Sequence, residues 1–329
     1  MIPAPNLHAR GSSRLAVLSA GAALAVSALA CGPGGGPAGE LLVLHTASAY
    51  GYFEDCGCRY DSTGGLAKRA WVIDSLQRAS DVPTLLVDAG DFSGGDNVYG
   101  AELGRVMVEA MDVIGYDAMT FGEWDLNQGT AYLREVVTGS SIAWVHTNYD
   151  VAGLEDLGHE TLVVEKGGRR IGLIGLFNPT ILLDAAMRDS VSVDRDVAAS
   201  ATRAVADLEE RGVDAIVVLS HLSYQADRVL AREVEGIDLI VSGHGGKSLV
   251  GAEEARADTW IVAPGDLGRF LGRALLSFEA TDGEAADVAA VDAELIVMEP
   301  GLPDDPRIEP LLERYEERRK TMVESELGE

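Results

Sequence analysis

Basic residues are scarce in this chain. Against 53 Asp and Glu stand only 26 Lys and Arg over 329 residues, a formal charge of −27. A field of that sign repels polyanions and argues against nucleic acid as a partner. A small phosphate ester remains compatible with it where metal cations reverse the local sign; an acid-rich surface that simply keeps the protein soluble is the competing explanation. Cysteine is also rare: Cys31, Cys56 and Cys58 are the only three. No Cys-x-x-Cys-His run occurs, so haem is not implied. Nucleotide-cofactor loops are missing as well. "GHGGKS" at 243–248 has Val241 where a phosphate-binding loop needs its first glycine. Gly34, Gly36 and Gly39 precede a strand instead of following one, so NAD is not implied either. There is no internal repeat.

Long hydrophobic runs are lacking too. "LAVLSAGAALAVSALA" (15–30) is too short and too Ala-rich for a membrane span. Preceded by Arg10 and Arg14, it reads as an export signal over 1–30. It stops at Cys31, between Ala30 and Gly32. Small residues directly before a cysteine resemble a lipoprotein cleavage site, with Cys31 as the lipidated first residue of the mature protein and its membrane attachment. An ordinary secretory signal with an incidental cysteine is the alternative. Either places the mature protein outside the cytoplasm, as a periplasmic or outer-membrane-anchored protein. Residues 31–39 read as a Gly/Pro-rich tether.

What is present is 47% hydrophobic sequence in alternating strand and helix patterns. "LLVLHTA" (41–47) predicts a strand, "GGLAKRAWVIDSLQRA" (64–79) an amphipathic helix, and "TLLVDAGD" (84–91) a strand running into a loop. "ELGRVMVEAMDVIG" predicts a helix, and "DAMTF" and "SIAWVHT" short strands. "ETLVVEKGGRRIGLIGLF" has a hairpin pattern turning at Lys166-Gly167-Gly168. A helix over about 195–211 precedes "DAIVVLSH" (214–221), and "GIDLIVSGH" (236–244) follows another. The antiparallel tail ("TWIVAP", "GRALLSFEA", "VAAVDAELIVM") leads to a charged helix over 301–329. The pattern predicts layered α/β architecture, with one domain over 40–300.

Four apolar strands each end in a residue able to bind metal: Asp91, Glu123, His221 and His244. Ligand sites in open α/β sheets form outside the carboxyl ends of the strands. Two carboxylates and two imidazoles suit zinc, manganese or iron. In "GYDAMTFGEWDLNQG" (115–129), Gly122 is expected to turn the chain sharply and deliver Glu123 and Asp125 to one spot.

In order and spacing, "LLVDAGD", "GYDAMTFGEWDLNQG", "DAIVVLSH" and "GIDLIVSGH" resemble the metallophosphoesterase domain of secreted 5'-nucleotidases, and "GGLAKRA" and "IGLIGL" fit the same pattern. The resemblance covers roughly residues 40–300. It implies a four-layer α/β/β/α sandwich of calcineurin type with two metal ions between its sheets. Its first motif, Asp-x-His, falls on Ser48 and Tyr50. Its bridging aspartate matches Asp91, its metal-binding asparagine falls on Glu123, and its catalytic histidine on Trp124. The aspartate partnering that histidine falls on Asn127. Its remaining histidines match His221 and His244, and its last ligand falls on Gly246. The resemblance thus implies one retained site, on Asp91, Glu123, His221 and His244, with Asp125 behind it. The second site and the His-Asp dyad are expected to be lost.

"EDCGC" (54–58) is similar to a cysteine-containing branch of the same family. Cys56 and Cys58 would add thiolates to a rebuilt metal site, form a redox-labile disulfide, or staple a loop. Arg59, Lys68 and Arg69 would neutralise a bound anion or occupy an exposed helical face. The nucleotidases carry a further base-gripping domain, which this chain is expected to lack. Two functions follow: a metal-dependent hydrolase, weak or acting on an unusual phosphoric ester or nucleotide, or a non-catalytic metal- or phosphate-binding scaffold for an envelope partner.

Overall fold

The computed structural model describes residues 39–54, 63–94, 98–279 and 287–327. In chain order the elements are β1 (Gly39–Thr46), α1 (Leu66–Ala79), β2 (Thr84–Asp88), α2 (Val98–Ile114), β3 (Ala118–Met119), α3 (Glu123–Leu126), α4 (Thr130–Thr138), β4 (Ala143–Trp144) and β5 (Tyr149–Val151). There follow β6 (Thr161–Lys166), β7 (Arg169–Phe177), β8 (Val191–Val193), α5 (Val197–Glu210), β9 (Ala215–His221), α6 (Tyr224–Glu233) and β10 (Leu239–Ser242). The last are β11 (Glu253–Arg256), β12 (Thr259–Val262), β13 (Phe270–Glu279), β14 (Asp287–Val297) and α7 (Glu309–Leu327).

Two six-stranded sheets form, in the orders β14-β13-β1-β2-β3-β4 and β11-β12-β10-β9-β7-β6, and β5 pairs with β8 beside them. Strands with apolar residues on both faces must be covered on both faces, and their alternation shows how. Leu41 and Val43 of β1 pack into the core between the sheets with Val217 and Leu219 of β9. Leu42 and Leu44 face outward, against a layer holding Leu66 and Ile73 of α1 and Met107 and Met111 of α2. Ile216 and Val218 face the opposite way, against Ala204 and Leu208 of α5 and Leu230 of α6. Helix, sheet, sheet, helix is the four-layer α/β/β/α sandwich expected. The helix α7 lies along α2, with Arg314 and Arg318 paired to Glu109 and Glu102 and Tyr315 edge-on to Phe53 at 4.7 Å.

The parallel runs β1-β2-β3-β4 and β7-β9-β10-β12 bring their carboxyl ends to the site. Asp88, closing β2, accepts from Thr46 Oγ1 at 2.6 Å, and Gly90 N donates to it at 2.8 Å. The segment after β2 meets the second sheet, with the Ala89 carbonyl 2.7 Å from His221 Nδ1. No helix among the described residues is long and apolar enough to cross a membrane.

Candidate metal centre

Asp91 lies three residues beyond β2, Glu123 opens α3, His221 ends β9, and His244 lies two residues beyond β10. Four segments far apart in sequence thus converge, and one ligand atom from each lies within 4.8 Å of all the others. His221 Nε2 stands 2.8 Å from Glu123 Oε2 and 3.3 Å from Asp91 Oδ2. His244 Nδ1 stands 3.2 Å from Glu123 Oε1. Asp91 and His221 are fully buried, while Glu123 and His244 are partly open to solvent. Glu123 therefore reaches the centre without displacing its backbone from α3.

The His221 ring is fixed by its other nitrogen. Nδ1 lies 2.7 Å from the Ala89 carbonyl, which can only accept, so Nδ1 carries the proton. Nε2 then presents its lone pair to two carboxylates that also offer lone pairs. Such an arrangement needs a cation at its centre, either a proton or a metal ion. In the metal-free protein the proton answers. Burial opposes a charged His221, but the charges of Asp91 and Glu123 and their hydrogen bonds outweigh it and raise its pKa well above the ordinary value. Burial likewise opposes the Glu123 charge, and hydrogen bonds and charge from His221 and His244 overcome it, holding the carboxyl below the usual range. Even so, Asp91 Oδ2 and His244 Nδ1 remain buried without a well-formed hydrogen bond. Buried polar atoms left in this state are costly unless a ligand completes them. Two oxygens and two nitrogens around one point fit a divalent transition-metal ion.

The frame around the cluster is backbone held by Asp125. Its Oδ2 accepts from Asp91 N at 2.7 Å and Gly122 N at 2.9 Å, and its Oδ1 accepts from Ser93 N at 2.8 Å. Asp125 thus braces the loops that carry Asp91 and Glu123. Burial and the adjacent Asp91 charge push its carboxyl up, against the backbone N–H groups that favour its charged form. Asp91 itself adopts a left-handed backbone at φ 60°, strain of the kind that loops store where function over-determines them. Gly122 does not make the expected sharp turn: its backbone is extended, φ −104° and ψ −178°. Glycine is needed there for room, since a Cβ would lie 2.6 Å from both Asp91 Cγ and His221 Cε1.

The positions beside the cluster hold other chemistry. Ser48 is buried and donates to the Gly243 carbonyl at 2.7 Å. Tyr50 stands edge-on to Trp124, centroids 5.9 Å apart. Burial, with the charges of Asp91, Glu123 and Asp266, pushes the Tyr50 hydroxyl up to about 12 despite a nearby Ser48 hydroxyl. Trp124 is 37% exposed and fastened by its backbone N–H to Asp91 Oδ1 at 2.9 Å. Asn127 is taken up structurally, its Oδ1 accepting from Asp184 N at 2.9 Å. The Asp266 side chain packs on Gly246, with Cγ 3.0 Å from where a Cβ would stand. Arg69 departs from the exposed-face expectation: it is 1% exposed, with a contact to Met107 Sδ at 3.7 Å. Lys68 pairs with Asp304 at 3.5 Å. Cys31, Cys56, Cys58 and Arg59 lie outside the described residues. The Ala89 carbonyl carries no side-chain signature in the sequence, and the three-amide grip of Asp125 has none either.

No protein-family model matches the chain. The trifunctional nucleotide phosphoesterase YfkN of Bacillus subtilis is 24% identical over 277 residues, which is 73% of this chain and 18% of that protein. Snake venom 5'-nucleotidase of Gloydius brevicauda is 30% identical over 231 residues, 62% of this chain and 37% of that one. The chain therefore spans well under half the length of these relatives. Among solved structures, the 5'-nucleotidase precursor of Thermus thermophilus superposes with a TM-score of 0.74 at 27% identity, over 86% of this chain and 60% of that one. Proteins that resemble this chain in sequence or in fold include 5'-nucleotidases and a calcineurin-like phosphoesterase.

Proposed function

We propose that the chain is a metallophosphoesterase-like protein of the 5'-nucleotidase family that binds one divalent ion on Asp91, Glu123, His221 and His244, and is at most a weak hydrolase of a small phosphate ester or nucleotide. One observation carries this reading: Asp91 Oδ2 and His244 Nδ1, both buried and without a well-formed hydrogen bond, belong to the same four-residue cluster whose ligand atoms converge within 4.8 Å. Zinc, manganese or iron bound there would polarise a phosphoryl oxygen and acidify a bound water. The chain's own residues hold the site in place: the Ala89 carbonyl orients His221, and Asp125 fixes the loops on either side.

Substitutions around that site argue for weak chemistry. Two-metal hydrolysis uses a second ion to stabilise the opposite end of an in-line displacement. Ser48, Tyr50 and Gly246 stand where the family resemblance places the ligands of that ion. Neither Trp124 nor Asn127 can act as a general acid–base pair at neutral pH. The Tyr50 hydroxyl, pushed up to about 12, keeps its proton there and can donate a hydrogen bond to an anion. The same substitutions favour a second reading, a non-catalytic metal- or phosphate-binding scaffold at the cell envelope. Its attachment would run through a lipidated Cys31 after removal of residues 1–30, with 31–39 as tether. Cys56 and Cys58 would serve as additional ligands or as a disulfide beside the site.

The experiment is turnover of the purified mature protein on a panel of phosphate mono- and diesters with manganese or zinc, beside His221→Ala. Metal-dependent turnover that disappears in the variant supports the hydrolase. Bound metal without turnover on any ester supports the scaffold. Absence of bound metal overturns the hydrolase and the metal-binding form of the scaffold.

A further inference from the structure

Ser220 and Ser242 are register partners on the adjacent parallel strands β9 and β10. Ser220 immediately precedes His221, and Ser242 comes two residues before His244. Alternation turns the residues two before each serine, Val218 and Ile240, toward the α5/α6 layer, while Leu219 and Val241 face the core between the sheets. Both serines thus share the helix side of the sheet. One acidic residue meets them there. Asp227, in the first turn of α6, is 0% exposed, and its Oδ1 accepts from Ser220 Oγ at 2.5 Å. The Ser242 hydroxyl lies close enough to favour the charged carboxyl. Ser242 Oγ and Asp227 Oδ2 are both buried and neither has a hydrogen-bond partner. The helix end is itself pinned, since Ser223 caps α6 through Ala226 N and accepts from Asp227 N at 2.9 Å through its carbonyl.

We infer that Asp227 is a positioning residue that clamps the Ser220–Ser242 pair from behind the sheet and so fixes the separation of His221 and His244. The inference rests on the metal-binding reading above. A carboxyl buried completely, behind a sheet packed with aliphatic side chains, is expensive unless it is hydrogen-bonded, and here its one bond goes to Ser220, the register partner of Ser242 at the other strand end. Gly243 N extends the same ladder to the Ser220 carbonyl at 2.8 Å, so a shift in one strand end is passed to the other.

The test is titration of the full chain with Co2+, whose visible absorption reports coordination geometry, for wild type, Asp227→Ala, Asp227→Asn and the double variant Ser220→Ala/Ser242→Ala. Leu230→Ala, which opens a cavity under the same helix, controls for lost stability. Asp227→Ala should bind Co2+ about tenfold more weakly with an altered spectrum, the scale of loss seen when a ligand's supporting partner is removed. Asp227→Asn, still able to bridge both serines, should restore wild-type binding, and Leu230→Ala should melt earlier with its spectrum unchanged. Should Asp227→Ala not fold, the double serine variant, which deletes only two hydroxyls, carries the same expectation. Wild-type affinity and spectrum in Asp227→Ala or the serine double variant, or the same spectral change in Leu230→Ala, would overturn the inference alone. A wild type that binds no Co2+ would overturn it together with the metal-binding reading.

Discussion

His221 carries the clearest physical message of any single residue, because one ring nitrogen is committed to a carbonyl and the other faces two carboxylates. Its place was legible in the sequence, as were those of Asp91, Glu123 and His244, since each polar residue interrupts or ends an apolar run at a strand's exit. The supports were not legible. Gly122 was expected for a turn and serves as clearance, which only the approach of Asp91 and His221 reveals. A second histidine carries an effect of opposite sign. His45 is 1% exposed on β1, and burial drops its pKa to about 3, so the folded protein keeps it neutral while the unfolded chain protonates near 6.5. Between those values the unfolded state binds more protons, so acidification costs stability, at most about 1.4 kcal/mol per pH unit. His45→Leu should therefore lose less melting temperature than wild type as pH falls from 6.5 toward 4. Parallel curves in the two proteins would refute the assignment.

Elements were legible in proportion to their length. The long strands β9, β13 and β14 and the helices α1, α5 and α7 follow their hydrophobic patterns. The three-residue strands β5 and β8 and the four-residue β11 do not, because a run that short shows no period. Helix α4 was missed despite buried Tyr132, Leu133, Val136 and Val137, since its nine residues between Gly129 and Gly139 are too few to stand without tertiary packing. That packing is tight where α2 crosses it. A Cβ on Gly104 would stand 2.5 Å from Ser93 Oγ and 2.9 Å from Tyr132 Cζ, and those two side chains share a hydrogen bond of 2.6 Å. By propensity alone, Gly104→Ala in mid-helix should stabilise by up to about 1 kcal/mol. Overpacking against a buried ring should win, giving a net loss of about 1–3 kcal/mol in chemical denaturation. A more stable variant would mean that α2 and α4 are less closely packed.

For the whole molecule, the charge of −27 and the metal cluster are parts of one electrostatic account. Two sheets present their carboxyl ends to each other, and four of those ends supply ligands, so the centre forms only in the completed sandwich. An acidic protein that gathers two carboxylates beside Asp125 in a buried place needs positive charge there. The sequence pattern showed the layers and the four strand ends; it could not show that the four ends point at one another, a property of sheet twist and loop length together. The most direct measurement is metal content and equilibrium dialysis of the purified chain with zinc and manganese, beside His221→Ala. We predict one ion per wild-type chain, with occupancy falling to about a tenth or less in the variant. No bound ion in wild type, or equal occupancy in His221→Ala, would contradict the account.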